Sequence, residues 1–478
     1  MGRRDFDAVV AGAGPAGSMA AYELARGGAR VALVDKARFP RDKACGDLVG
    51  PRGVALLEER GIVPEDTLCL GDMIVVGPGD DRVLLPARAG RTYPGIAWAV
   101  PRRRLDQLLY DAAVAAGAEP LHARVSAAAT EGGAVVVATD RGPALRAGAL
   151  IGADGATSAV AASVGLVRPG EVRLGFAVRT YLPVSVELPV IVLFDDAPGV
   201  GFPGYGWLFP GPDGMANAGV GVGVGADRRA GAEATRRLEG FVARMADLDL
   251  CPAGTRPGER LGGWLKMGMV GTLAASGRVL LVGDAAGLVN PLQGEGISQA
   301  LESGVAAARA VLGAAGQGPD AAAHAYLRWL ADHHAAYQGP AATLQGALLA
   351  HPRLISLLAR AVTWPPLGRR LAPGWALYWN DLVPGSAPGP GSLTARLARA
   401  GADALSAPAA SRRRLRADLR DLPERTQVLA GPRARAPEPV GGSHRTASLG
   451  LDLDEPQQAV GSDHGVAEEG PWVRRRGR

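Results

Sequence analysis

The chain is poor in cysteine, with three in 478 residues and no paired framework. That excludes a disulfide-built scaffold and points to a reducing compartment. It also lacks any run of about 18 uncharged apolar residues, so no spanning helix is expected. The start, MGRRDFDAVV, carries two arginines but passes directly into a strand pattern rather than a secretory apolar segment, and no leader is read there. A cytoplasmic location follows, with peripheral membrane contact left open. Lysine is scarce beside arginine, and a net charge of +5 is too modest to suggest nucleic acid. Metal spacing is missing too: His333 and His334 are adjacent rather than at i, i+4, no Glu or Cys completes a set, and both are expected on the solvent face of a helix. No internal repeat of fixed period is present. What remains is ordinary for a globular protein, 47% hydrophobic and 21% charged, with a surplus of glycine, 68 in all.

Some of those glycines fall in register with strands and helices. Residues 5–17, DFDAVVAGAGPAG, place an apolar strand before Gly12, Gly14 and Gly17, a helix follows from about Pro15, and Asp35 ends the next apolar run, VALVD. Glycines permit a tight turn close to a pyrophosphate, the helix offers N–H groups and a positive dipole end, and the acid can accept from a ribose hydroxyl. This pattern does not separate NAD from FAD. Residues 278–284, RVLLVGD, form a second apolar strand ending in Gly283 and Asp284. Pro291, Gly294 and Gly296 follow, then a helix beginning ISQALESG. A third piece, GADGATS at 152–158, comes after Leu150 and Ile151.

Together these three segments resemble the FAD motifs of the para-hydroxybenzoate hydroxylase-like flavoproteins. The resemblance implies FAD as cofactor, with Gly12, Gly14, Pro15, Ala16, Gly17, Asp35 and Lys36 in the first motif and Asp154 and Gly155 in the DG motif. It gives Asp284 to the ribityl chain and Gly294, Gly296 and Ile297 to the ring, with Gly283 and Pro291 also in the cofactor site. Arg102, in PRRRLDQLL, stands where that superfamily places a flavin-contacting arginine. The arginine that usually follows the DG motif is absent here, with Ala161 and Ala162 in its place.

Two further blocks are similar to the geranylgeranyl reductase family, and most like its bacterial members that saturate an isoprene unit of menaquinone. One is FPRDKACGD at 39–47, which implies that Cys45 and Gly46 lie near the flavin. Cys69 and Cys251 lack such context and are expected to be buried thiols. The other is PGYGWLFP at 203–210, followed by Gly219 and Gly221. Two strands joined by the Gly-Pro-Asp-Gly turn put Tyr205, Trp207 and Phe209 on one face, an aromatic wall suited to a prenyl chain.

The expected fold is α/β: a Rossmann-like FAD-binding domain (1–170 and 271–315) with an inserted antiparallel-sheet substrate domain (171–270) and a helical C-terminal region (316–385). Residues 386–478, rich in Arg, Pro, Ala and Gly, are expected to be disordered, their arginines a candidate for anionic lipid. The resemblance implies an FAD-dependent reductase of isoprenoid double bonds, acting on a prenylquinone or geranylgeranyl lipid. Cys45, Tyr205 and Asp47 are the candidate proton donors. With one dinucleotide fingerprint, electrons are expected from transient NADPH or from ferredoxin. Alternatives are a flavin monooxygenase or halogenase on the same scaffold, although halogenases carry WxWxIP where this chain has YGWLFP, and a flavin- or lipid-binding protein without turnover.

Overall fold

The run FDAVVA becomes β1 (Phe6–Ala11), buried at every position but one, as expected of a strand flanked on both sides by parallel neighbours. It feeds α1 (Pro15–Arg26), which starts with Pro at its first turn, and then β2 (Val31–Asp35). The connection that follows holds β3 (Leu48–Val49), α2 (Pro51–Glu58), β4 (Leu68–Leu70), β5 (Met73–Val76), β6 (Arg82–Leu85) and β7 (Ala97–Ala99). Next come α3 (Arg102–Ala115), β8 (Glu119–His122), β9 (Val125–Glu131), β10 (Ala134–Thr139), β11 (Leu145–Gly152) and α4 (Ala159–Ser163). The middle of the chain supplies β12 (Arg173–Leu182), β13 (Val190–Leu193), β14 (Gly204–Pro210), β15 (Ala216–Val224), α5 (Ala230–Asp247) and β16 (Leu261–Met267). Last are β17 (Ala275–Ser276), β18 (Val279–Leu281), a 3-10 turn (Gly283–Ala286), α6 (Ile297–Gly313), α7 (Ala321–His333), α8 (Ala335–Ala350) and α9 (Pro352–Thr363). This computed structural model describes residues 5–85, 87, 94–193, 204–224, 230–350 and 352–364. The expected tail lies outside them.

An eight-stranded sheet runs β17-β18-β11-β1-β2-β8, with β10 and β9 added antiparallel beyond β11. The parallel pairs β18–β11, β11–β1 and β1–β2 bring the ends of β1, β11 and β18 side by side, and all three glycine-bearing motifs leave from those ends. Helices α1 and α6 cover this sheet at very close range. A Cβ on Gly304 would lie 2.4 Å from the Ala16 carbonyl oxygen, so the two backbones touch where α6 crosses α1.

The second sheet has seven strands, β16-β12-β15-β14-β13-β5-β6. Five come from the expected insertion, and two, β5 and β6, come from residues 73–85. Pairing is antiparallel except between β13 and β5. Helix α5 buries Ala234, Leu238, Phe241, Val242 and Met245 against this sheet's outer face. Gly206 makes room for it, since a Cβ there would sit 2.2 Å from the Phe241 ring.

Two side chains differ from expectation. Cys69 is exposed on the short strand β4, whereas Cys251 is buried as read. His334 is not solvent-facing: it falls where α7 turns into α8, which aims its ring inward, 5.0 Å from Trp329, with Nε2 3.6 Å from the Glu302 carboxylate. Burial lowers its pKa well below the usual histidine value.

Candidate functional site

The first glycine turn is shaped by contacts that no side chain could share. Gly12 has φ +98°, and a Cβ on it would lie 2.3 Å from the Ala153 carbonyl oxygen, while one on Gly17 would lie 1.8 Å from that of Gly12. The turn is thereby pressed against the DG loop. Asp35 braces it, accepting from the Ala13 N–H (2.6 Å) and the Ala37 N–H (2.8 Å). No side chain caps α1 and no acid lies in its first turn, so its N-terminal N–H groups remain open to an anion. Beyond Gly14 the nearest group is the Arg41 guanidinium, 3.5 Å from where a Cβ would stand. Lys36 is exposed just past β2.

Asp154 turns inward instead of presenting a free carboxylate. It accepts from the Ser158 hydroxyl (2.5 Å) and the Val160 N–H (3.0 Å), capping α4, and burial raises its pKa. Gly155 beside it has φ +87° and open space around its Cα. On the third loop the Asp284 carboxylate remains partly exposed, 3.8 Å from Lys43 Nζ, and lies beside Gly296 at the start of α6. The Asn290 side chain accepts from the Leu292 and Gln293 N–H groups, Gly294 takes φ +68°, and Glu295 accepts from the Ser298 N–H at 3.1 Å. Pro291 and Ile297 bracket this loop.

A feature the sequence reading missed lies under both acidic loops. Lys266, on β16, is 2% exposed and donates to the Ala285 carbonyl at 2.6 Å. Burial lowers its pKa to about 8, against the opposing pull of Asp154 and Asp284. An isolated lysine in an apolar strand carries no sequence signal. Its role emerges only when the strand is placed.

Cys45, half-buried, lies in the loop between β2 and β3. Burial pushes its thiol pKa up, the Arg102 charge opposes that, and the Asp47 charge adds to it. Arg102 is itself buried and forms a bidentate pair with Asp106 (2.8 Å for both bonds), which Arg41 joins at 2.8 Å. Burial opposes the Arg102 charge, but Asp106 and Cys45 outweigh it and raise its pKa. Asp47, at φ +61°, accepts from the Tyr181 hydroxyl (2.5 Å), the Asn217 amide (2.8 Å) and the Arg102 N–H (3.1 Å). Burial still holds its pKa above the usual carboxylate value.

The aromatic wall forms as expected. The Tyr205, Trp207 and Phe209 rings follow one another at centroid distances of 6.2 and 6.4 Å. The glycines of β15 explain their own spacing, since a Cβ on Gly219 would lie 2.1 Å from the Trp207 indole and one on Gly221 3.6 Å from it. The indole lies flat across both. Its Nε1 donates to Asn217, whose amide donates in turn to the Cys45 carbonyl (2.8 Å) as well as to Asp47. Gly46 packs under Phe209, and the Tyr205 hydroxyl donates to the Gln293 carbonyl. The wall, the cysteine loop and the loop before α6 thus meet at one place. Asn217, Tyr181, Asp106 and Lys266 are the members that sequence reasoning did not single out. Among the described residues no cluster fit for a metal ion is found.

This geometry suits FAD: a backbone cradle at Gly12 and Gly17 too tight for any Cβ, an uncapped helix start, a partly exposed carboxylate at the third loop, and an aromatic face beyond. The FAD binding domain family matches residues 5–328. A menaquinone reductase of Mycolicibacterium smegmatis is 37% identical over 313 residues, 63% of this chain and 75% of that one. A digeranylgeranylglycerophospholipid reductase of Methanopyrus kandleri is 34% identical over 315 residues, 63% of this chain and 75% of its own length. Among solved structures, a geranylgeranyl bacteriochlorophyll reductase-like protein of Thermoplasma acidophilum superposes with a TM-score of 0.63 at 21% identity, covering 88% of this chain and all of that one. The flavin-dependent brominase Bmp2 shares the fold with a TM-score of 0.59 at 18% identity, over 84% of this chain and all of that one. With FAD as its cofactor, the chain belongs to the geranylgeranyl reductase family of FAD-dependent oxidoreductases.

Proposed function

We propose that the protein saturates carbon-carbon double bonds in the prenyl chain of a lipid, a prenylquinone such as menaquinone being the favoured substrate. The observation that carries this reading is the convergence of the aromatic wall, the Cys45 loop and the loop before α6. Two relatives named as reductases of menaquinone and of a geranylgeranyl phospholipid support it. The pyrophosphate falls to Gly12, Gly14 and Gly17 with the start of α1, the ribose to Asp35, the ribityl chain to Asp284, and the ring to Gly294, Gly296 and Ile297. Asp154 serves by bracing its loop. Residues 171–270, joined by β5 and β6, hold the substrate.

An isolated trisubstituted alkene is not electrophilic, so reduction needs a proton at the less substituted carbon. FAD held by these loops would, when reduced, supply the hydride. Cys45 gives the proton, and the Arg102 charge favours its thiolate. Tyr205 is the weaker acid, because burial raises its hydroxyl pKa and that hydroxyl is held by Gln293. Tyr205 and Trp207 present their faces to the developing tertiary cation, and the wall excludes water that would capture it. NADPH or a ferredoxin supplies electrons between turnovers.

Dithionite-reduced protein mixed anaerobically with menaquinone tests this. Product two mass units heavier per saturated unit is expected. An absolute need for oxygen, with an oxygen or halogen atom gained, would transfer the protein to the monooxygenase or halogenase class.

A further inference from the structure

Each double bond saturated consumes one proton, which has to be returned to Cys45 before the next turnover. A cleft of about 820 Å³ opens between the first turn of α3 and the β14–β15 turn, with Arg104 and Asp213 at its rim. Asp47, Tyr181 and Asn217 line it, whereas Cys45, Tyr205, Trp207 and Phe209 do not. It therefore reaches Asp47 from the side away from the wall. The Tyr181 hydroxyl, half-buried at this edge, is hydrogen-bonded to the Asp47 carboxylate, and the Asn217 amide ties that carboxylate to the Cys45 carbonyl two residues away.

We propose that this cleft is the proton inlet of the reaction, and that Tyr181 and Asp47 form a relay that reprotonates Cys45 after each turnover. The proposal rests on the reductase reading above. The Cys45 S–H bond breaks as its proton bonds to the less substituted alkene carbon, the other carbon taking the hydride that bound, reduced FAD would supply. The thiolate then takes a proton from the Asp47 carboxyl. Asp47 regains one as the Tyr181 O–H bond breaks, and the Tyr181 oxygen takes its replacement from water in the cleft. The net uptake for each bond reduced is one proton from solvent and one hydride, which carries both electrons.

The charged groups around the relay are set to tolerate this traffic. Arg179 lies over the Tyr181 ring with its guanidinium 4.3 Å from the centroid and pairs with Asp42, while Arg102 faces Cys45 and gives its backbone N–H to Asp47. Burial shifts both Asp47 and Tyr181 toward their protonated forms. Asn217 fixes the register, tying Asp47, the Cys45 carbonyl and Trp207 together with one side chain.

The test compares first-turnover and steady-state oxidation of reduced FAD by menaquinone, anaerobically, in wild type, Tyr181→Phe and Asp47→Asn. FAD binding and melting temperature serve as the check on folding. The first turnover spends the proton Cys45 already carries, so the loss should fall on the steady state, on the order of 100-fold. Formic acid or imidazolium, small enough to enter the cleft, should restore turnover to Tyr181→Phe. An unchanged steady state, an equal loss in both phases, or a loss that neither acid relieves would overturn the relay while leaving the reductase reading intact. Wild-type protein whose reduced flavin menaquinone never oxidises would overturn that reading and the relay with it.

Discussion

Cys45 and Trp207 are joined through Asn217, yet their replacement should fail in different ways. Cys45→Ala removes a group needed only as the alkene is protonated. Oxidation of reduced flavin by substrate should slow by about 100-fold or more while FAD affinity stays within about twofold of wild type. Trp207→Ala removes apolar contact made in ground and transition states alike, and leaves Asn217 without its donor. The substrate concentration needed for half-maximal rate should rise sharply, for a loss of roughly 2–4 kcal/mol. Stopped-flow traces across substrate concentrations separate the two. Lys266 gives a prediction in pH. With its folded pKa lowered to about 8 and an unfolded value near 10.5, the unfolded chain holds a proton that the folded chain lacks across that window. Stability therefore rises with pH from about 8, by at most about 1.4 kcal/mol per unit from this group. Tyr181, Tyr205 and Tyr326, all raised above the ordinary tyrosine value, act in the opposite direction above about pH 10. Urea midpoints between pH 8 and 9.5 should climb in wild type and less in Lys266→Met. Coincident slopes would mean that the lysine is charged throughout.

Helix α5 shows what an element contributes without touching the site. Phe241 is fully buried in the notch left by Gly206, and Phe241→Ala should lower stability by about 3–5 kcal/mol with FAD still bound, measured by denaturant titration of the yellow protein. This helix was also the least legible element. Its apolar positions recur at helical spacing, but the segment lies among strands and reads as more of them. The β1–α1–β2 unit and the β18–α6 unit were legible because buried parallel strands write themselves as apolar runs and their glycines sit at fixed local offsets. The aromatic wall was legible for a similar reason, since alternation along one strand is a local property. Asn217, Lys266 and Asp106 were not. Each is a single polar residue whose partners come from distant parts of the chain, and nothing local marks it. His334 and Cys69 were misread in the same way, because burial at a helix junction or on a short edge strand depends on what packs there.

At the scale of the molecule, both cofactor loops stand on helices that touch backbone to backbone at Gly304 and Ala16. Asp284→Ala should weaken FAD retention without unfolding the protein, checked by the flavin content after gel filtration. Saturating FAD should raise the melting temperature of wild type more than that of the variant, free FAD at about 100 times Kd being worth about 2.7 kcal/mol. The seven-stranded sheet carries a different consequence, for transplantation. Because β13 pairs with β5, and β5 with β6, the strands at one margin of the substrate sheet are encoded nearly a hundred residues before the rest, in the connection between β2 and α3. A chimera that exchanges residues 171–270 alone for those of a relative would seat a foreign strand against a resident one. The backbone bonds would form, but the side chains facing Ile74 and Val76 would belong to another protein's partner. An exchange meant to move substrate preference from one such enzyme to another has to carry residues 73–85 with it, as two separate cassettes of one sheet.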